Sequence, residues 1–326
     1  LFAVLSGLLL GNLTTPIRAV NLADLSGWDI VISDEPIESE IYAAEELQHF
    51  LAEATGCELP IRRDPVGDKH HFFVGPSAAM LTSKVGFDTS MMGDEDLRIV
   101  IRGENLAIAG GRPRGTLYAV YAFLEKYLGV RFLTPDHTHV PKTAEDRPLD
   151  ELDYSYHPPL SFRWSYYGET NRNPAFAARM RCNTIPKDPK FGGVTARRLI
   201  SHSFNRQLPT SRYGKDHPEY FTLRDGKRLS DVKNDSRQTE PCKSHPEVIR
   251  IITESVLAEL AENPRWSNIS VSQNDNHLYC QCEKCAALDT EAESHMGSHL
   301  ALVNAVADAV AQKFPDVDVG TLAYVY

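Results

Sequence analysis

The side chains best suited to acid–base or ligand chemistry stand together at Asn274-Asp275-Asn276, directly after the β-branched run Ile269-Ser270-Val271-Ser272. A short strand that ends in a carboxylate between two amides delivers that carboxylate into a loop, as α/β barrels do at the carboxyl ends of their strands. Asp275 is therefore the candidate catalytic residue, as an acid/base or a substrate-positioning carboxylate. Asn274 and Asn276 are candidate substrate-binding groups beside it. Two quieter roles suit the same residue: holding a ligand hydroxyl between the amides, or capping the following loop. His202 and Asn205 stand at the exit of another strand-like run, L-I-S-H-S-F-N. An imidazole titrates at about 6.5, so His202 could move a proton or donate to a hydroxyl. Trp164 and Tyr166 alternate in S-F-R-W-S-Y-Y-G and so share a face. Either ring could stack on a flat polar ligand, and either could equally fill a core. Glu169 closes that run as a candidate ligand-binding carboxylate, and Glu219 lies in a later insertion.

A second chemical feature lies just beyond Asp275. Cys280, Cys282 and Cys285 have C-x-C-x-x-C spacing, and Cys242 in P-C-K-S-H-P is the natural fourth. Four thiolates suit a closed tetrahedral zinc site, and in an oxidising compartment the same four suit two disulfides. In either form the cluster is structural, because a closed four-cysteine site leaves no position for a substrate. Catalysis at Asp275 would require no cofactor. Cys57 and Cys182 read as isolated core residues.

Composition limits the partners. The chain has 326 residues, 42% hydrophobic and 24% charged, with a formal net charge of −10 and a pI near 5.7. Such an acidic balance argues against nucleic acid or an anionic membrane as the main partner. Residues Leu1–Ala19, L-F-A-V-L-S-G-L-L-L-G-N-L-T-T-P-I-R-A, pass from an apolar run to small residues, as the later part of a secretory signal does. The segment is too short for a stable membrane span, so export to a secreted or periplasmic location is expected. It lacks the charged start and initiating Met of such a signal, so a truncated beginning is expected as well.

The elements that must position these groups fall into two parts. Residues 22–150 alternate strands and helices around one hairpin: strands at 28–33, 58–61, 71–75, 97–103, 106–110 and 130–133, with amphipathic helices at 39–54 and 116–128. This is a small α/β domain with a mixed sheet. The glycines of G-G-R-P-R-G (110–115) match neither the P-loop nor the dinucleotide spacing, so a tight turn into the second helix is expected. A polar linker, 141–159, marks a boundary. From 155 to 326 strand-like runs at 160–168, 181–185, 199–204, 269–272 and 317–326 are interleaved with helices at 176–180, 246–262 and 298–314. A small hairpin is expected at D-G-K (225–227). Such helix-then-strand units predict parallel βα repeats, and about five strands predict an incomplete (β/α)8 TIM-type barrel, cut about halfway round.

Several stretches carry a resemblance. G-T-L-Y-A-V-Y-A-F-L-E-K-Y-L-G-V-R-F-L-T-P (115–135) resembles the end of the accessory α/β domain that precedes the barrel in α-glucuronidases and β-hexosaminidases. H-P-E-Y-F-T-L-R-D-G-K-R, P-C-K-S-H-P-E-V, V-S-Q-N-D-N-H-L-Y-C-Q-C-E-K-C and G-T-L-A-Y-V-Y resemble the bacterial family labelled domain of unknown function 4838. The resemblance implies a secreted, glycoside-hydrolase-like protein that acts on a polysaccharide or glycan, with a non-catalytic carbohydrate-binding barrel as the rival. Asp275 sits where β-hexosaminidase-like enzymes place an Asp–Glu pair, and here the following residue is Asn276.

Overall fold

The structure is a computed structural model and describes residues 18–324 apart from 66, 68–69, 143–147 and 232–237. The signal-like segment, except for its last two residues, lies outside the described residues. Among the described residues no helix is long and apolar enough to cross a membrane. The chain forms two compact units, 1–194 and 195–326. Compactness thus divides it later than the polar linker at 141–159, and residues 155–194 pack with the first unit.

The first unit is built on a six-stranded sheet. Its strands are β1 (Asp29–Ile32), β2 (Ile61–Arg62), β3 (His71–Val74), β4 (Leu97–Arg102), β5 (Asn105–Gly110) and β6 (Leu152–Tyr156), in the order β6-β4-β5-β3-β1-β2. Pairs β5–β3, β3–β1 and β1–β2 are parallel, whereas β5–β4 and β4–β6 are antiparallel. The sheet is mixed because β4 and β5 form a hairpin, which is antiparallel by construction. Strands β1 and β3 are buried throughout, which explains why D-I-V-I and H-F-F-V read as near-continuous apolar runs. Helix α1 (Glu38–Thr55) lays Ala43, Ala44, Leu47, Phe50 and Leu51 on the core and stops at Gly56. There φ is 80°, a left-handed conformation that glycine adopts without a Cβ penalty. Helix α2 (Gly115–Phe123) packs beside α1 over the same face of the sheet, around Phe72, Ile99, Ile108, Leu117 and Val120. The opposite face is covered by Met80, Val85 and Phe87.

The glycine-rich turn before α2 is a point of close backbone approach. A Cβ on Gly111 would lie 1.9 Å from the Gly93 carbonyl oxygen, and one on Gly110 would lie 2.2 Å from that of Asp96. Both arginines between the glycines bind carboxylates: Arg112 reaches Glu40 at 2.9 Å and Arg114 reaches Glu95 at 2.8 Å. The turn is a packing device. Gly111→Ala should therefore cost about 1–3 kcal/mol of stability through overpacking. Urea unfolding of the variant beside the parent measures it, and an unchanged midpoint would contradict the close-approach reading.

Three expected strands do not form. Residues 160–167 and 181–185 are irregular, flanking short helices at Gly168–Arg172 and Pro174–Arg179. Side chains, not a neighbouring strand, satisfy their backbone. Asn183 accepts from the Arg163 N–H at 2.9 Å and donates to the Ser161 carbonyl at 2.9 Å, while Thr184 donates to the Arg163 carbonyl at 3.0 Å. Such local polar bonds compete directly with a ladder. The run at 199–203 is irregular, leads into the one-turn helix Phe204–Gln207 and is not paired as a strand.

In the second unit, α3 (Pro246–Glu262) leads into β7 (Asn268–Ser270), and α4 (Glu283–Glu291) and α5 (Met296–Lys313) lead into β8 (Asp318–Gly320). Strands β7 and β8 are parallel. Val248, Ile252, Val256 and Leu260 of α3 meet Leu302, Val306 and Val310 of α5, with Ile269 and Val271. Helix-then-strand repetition and the apolar stripes thus appear where the periodicity placed them. The D-G-K turn closes a hairpin of Leu223–Arg224 and Lys227–Arg228, with Asp225 and Gly226 at φ 48° and 76°, as a two-residue hairpin loop demands.

Candidate functional site

The run 198–203 lies along 268–272, and alternate side chains bridge the two backbones. Asn268 accepts from the Arg198 N–H at 2.6 Å and donates to the Arg198 carbonyl at 2.9 Å. Ser270 does the same for Ser201, at 3.1 and 2.5 Å. Ser203 completes the series, accepting from the Ser272 N–H at 2.9 Å. This seam explains both the missing ladder at 199–204 and the run of polar residues in a buried strand. It brings His202 to the end of β7.

Beyond Ser272 the chain turns sharply, and buried amides hold the turn. Asn274 donates to the Thr239 carbonyl at 2.9 Å and accepts from the Asn205 backbone N–H at 2.8 Å. Asn276 donates to the same Thr239 carbonyl at 3.0 Å and accepts from the Leu278 N–H at 2.8 Å. Beneath them Glu240, fully buried, accepts from the Asn274 N–H at 2.6 Å and pairs with buried Lys243 at 3.4 Å. Burial pushes the Glu240 carboxyl up, against the opposing pull of Lys243. Asn274, Asn276 and the Asn205 backbone thus brace the turn, and they leave one side chain of the triplet projecting outward.

That side chain is Asp275, with 49% of its surface exposed. Its Oδ1 accepts from the Tyr324 hydroxyl at 2.8 Å and lies 3.8 Å from His202 Nε2. The Tyr324 phenol is held above its ordinary pKa by the Asp275 hydrogen bond and charge. His202 Nδ1 lies 2.8 Å from the Gln273 carbonyl. A carbonyl only accepts, so Nδ1 carries the proton, and Nε2 is the nitrogen that faces Asp275. The Tyr324 and His202 rings meet edge to face at 5.0 Å. A carboxylate, a phenol and an imidazole from three chain segments therefore converge at the carboxyl end of two parallel strands. Tyr324 went unremarked in the sequence; its only signal is its place a few residues after a strand parallel to β7.

Trp164 and Glu169 belong to the first unit. Trp164 contacts Tyr166 with ring centroids 4.1 Å apart, although the strand whose alternation suggested a shared face does not form, and Glu169 is exposed in the first turn of the helix at 168–172. Glu219 pairs with His217 at 3.2 Å.

Behind the turn, the sulfurs of Cys242, Cys280, Cys282 and Cys285 lie within 4.8 Å of one another, and all four thiols are free. Cys57 and Cys182 are half-buried and apart from them.

Below β8, His299 is fully buried and bonds Thr321 through Nε2 at 2.7 Å, while its Nδ1 has no protein partner among the described residues. Burial, then the Lys243 charge, pushes it down from 6.5 to about 3. The folded protein therefore takes up this proton later than the unfolded chain as pH falls. Its contribution to stability is complete above 6.5 and is lost as pH drops towards about 3. The slope is about 1.4 kcal/mol per pH unit inside that window. Unfolding measured from pH 7 to 4 should show a shallower fall in His299→Gln than in the parent; parallel curves would contradict it.

No curated protein matches the chain in sequence. Among solved structures it is similar to the GH20 β-N-acetylhexosaminidase of Streptomyces coelicolor A3(2), with 13% identity, TM-score 0.49, and coverage of 94% of this chain and 64% of that one. It is similar to the GH20 chitobiase of Flavobacterium johnsoniae, with 9% identity, TM-score 0.50, and coverage of 93% and 50%. A GH115 4-O-methyl-α-glucuronidase specific for decorated arabinogalactans gives 12% identity, TM-score 0.47, and coverage of 90% and 42%. The chain spans less than two thirds of each of these enzymes, and at such identity the likeness concerns the fold. The sequence family described as Domain of unknown function (DUF4838) matches residues 132–326, well over half of the chain. The chain belongs to the DUF4838 family.

Proposed function

We propose that this protein is an exported, carbohydrate-active protein and that Asp275, His202 and Tyr324 form its sugar-facing group, with glycoside hydrolysis as the activity. One observation carries the reading: a half-exposed carboxylate stands at the carboxyl end of a parallel strand, with a phenol and an imidazole turned towards it. Parallel α/β folds place their active sites at that end. In this reading β7 and β8 belong to part of a (β/α)8 barrel, of which residues 195–326 form the compact portion, preceded by an accessory α/β unit built on the six-stranded sheet. The signal-like start supports export.

Glycoside hydrolysis requires a carboxyl group on either side of the sugar, or one carboxyl and a substrate acetamido group, around an oxocarbenium-like transition state. Asp275 would supply one, as acid/base or as the group that positions the sugar. Tyr324 orients it, and His202 Nε2 is placed to share a substrate hydroxyl with it. Asn274, Asn276 and Asn205 serve by bracing the turn. Glu240 is excluded from touching substrate by its complete burial. Such chemistry asks for no cofactor.

Sugar binding without turnover is the second reading. It is favoured by Asn276, which stands where hexosaminidase-type sites carry the Glu of their pair. A panel of aryl glycosides and uronic-acid-bearing oligosaccharides, assayed for both turnover and binding, separates the two. Hydrolysis supports the first reading, and binding alone supports the second. Neither activity with any glycan would remove the carbohydrate assignment.

A further inference from the structure

The geometry points to a closed, tetrahedral zinc site made by Cys242, Cys280, Cys282 and Cys285. Four observations carry it, and none depends on what Asp275 does. The first is distance. A zinc–thiolate bond is about 2.3 Å, which sets neighbouring sulfurs of a tetrahedron about 3.8 Å apart. Cys242 and Cys282 lie 3.6 Å apart, Cys242 and Cys280 3.8 Å apart, and all four sulfurs stay within 4.8 Å of one another. Two disulfides would instead draw the sulfurs into pairs about 2.05 Å long. A cluster of several irons would hold its cysteines farther apart than one ion does.

The second observation is polar support for the sulfurs. The Leu223 N–H donates to Cys280 Sγ at 3.4 Å, and the Ser244 hydroxyl lies 3.1 Å from Cys285 Sγ and 3.7 Å from Cys282 Sγ. Groups of this kind orient metal-bound thiolates and spread their charge. The third is charge. One divalent ion on four thiolates leaves an excess of two negative charges, and the guanidinium of Arg228 stands beside Cys242, Cys280 and Cys282. The fourth is placement. Three of the four sulfurs are buried, and the ligands come from three places: the segment before α3, the loop after the Asp275 turn, and the first turn of α4.

An ion there would pin the loop 277–285 to the segment 239–244, whose Thr239 and Glu240 hold the Asp275 turn. The hairpin at 223–228 is tied to the same loop, because the Gln281 N–H bonds the Leu223 carbonyl at 2.8 Å and the Asp225 N–H bonds the Gln281 side chain at 2.8 Å. No open coordination position remains, so the metal is structural. Zinc fits a thiolate tetrahedron without redox chemistry of its own.

The test uses the purified chain under reducing conditions. Elemental analysis should find one zinc per chain, and a mercurial should release it to a chromophoric chelator. Co2+ in its place should give the visible bands of a tetrahedral thiolate ion. Native thiol titration should count Cys57 and Cys182 alone until the metal is removed. Ser244→Ala, which keeps all four ligands, should weaken zinc affinity roughly tenfold or more. Cys57→Ser should leave zinc content unchanged. Failure of the reduced protein to hold or take up zinc or cobalt would overturn the site, and so would an intact mass, measured on protein purified without reductant, that is short by the hydrogens of two disulfides. The cobalt titration needs no variant, so a ligand variant that fails to fold does not block the test.

Discussion

Asp275→Asn should lower glycoside turnover by about 10²–10⁴-fold while leaving sugar binding within a few-fold of the parent. The substitution is isosteric and keeps an oxygen that can accept the Tyr324 hydroxyl, so the 2.8 Å contact has a replacement. The turn itself does not lean on Asp275: its anchors are Asn274, Asn276, Thr239 and Glu240, and Asp275 projects into solvent. What the amide lacks is the negative charge and the ability to carry a proton. Loss of kcat with KM preserved therefore identifies Asp275 with the chemical step. A rise in KM alone identifies it as a hydroxyl clamp. Turnover equal to the parent's would sink Asp275 as the acid/base. Tyr324→Phe should be milder, because it removes one hydrogen bond to the carboxylate and leaves its charge in place.

The largest effect on stability is expected at Glu95. This carboxylate is buried and accepts from Arg114 Nε at 2.8 Å, from Asn183 Nδ2 at 2.8 Å, and from Arg163. Arg114 is itself only 3% exposed, and its further carboxylate contact, Asp94, is 3.4 Å away. Glu95→Ala leaves that guanidinium buried and poorly paired, which costs about 3–5 kcal/mol. Glu95→Gln keeps an acceptor and should cost less. Glu254→Gln is the control. It removes an exposed i, i+4 partner of Arg250, and surface pairs of this kind contribute little. Urea unfolding of the three variants orders them. A Glu95→Ala protein as stable as the Glu254→Gln control would show that the carboxylate is not the hub of this network.

Glu95 also explains where local pattern stops being informative. Leu160–Gly168 alternates like a strand, yet Arg163 turns back to Glu95 and to the Arg181 carbonyl, and Asn183 bridges Ser161 and Glu95. Those partners are 18 to 88 residues apart in sequence. Periodicity reports which side of a segment is buried; it holds no record of a distant side chain that will take the backbone bonds. At 199–204 the same limit applies, because Asn268, Ser270 and Ser203 replace a ladder with side-chain bridges.

Read from its residues alone, the chain determined its longest amphipathic helices, the hairpins at 97–110 and 223–228 and the mixed sheet. The stripe of Val248, Ile252, Val256 and Leu260, the stop at Gly56 and the turn at Asp225-Gly226 each follow from local physics acting over a few residues. Three of the four clustered cysteines were also legible, because C-x-C-x-x-C is a short-range pattern, whereas Cys242 lies 38 residues before Cys280. Tertiary structure alone decided which groups surround Asp275. Tyr324 and His202 lie 49 and about 70 residues away and arrive only because β8 pairs parallel to β7 and the 198–203 run is stitched to it. It likewise decided that the amides beside Asp275 face inward onto Thr239 and Glu240, since a buried polar side chain must find its hydrogen-bond partner wherever the fold supplies one.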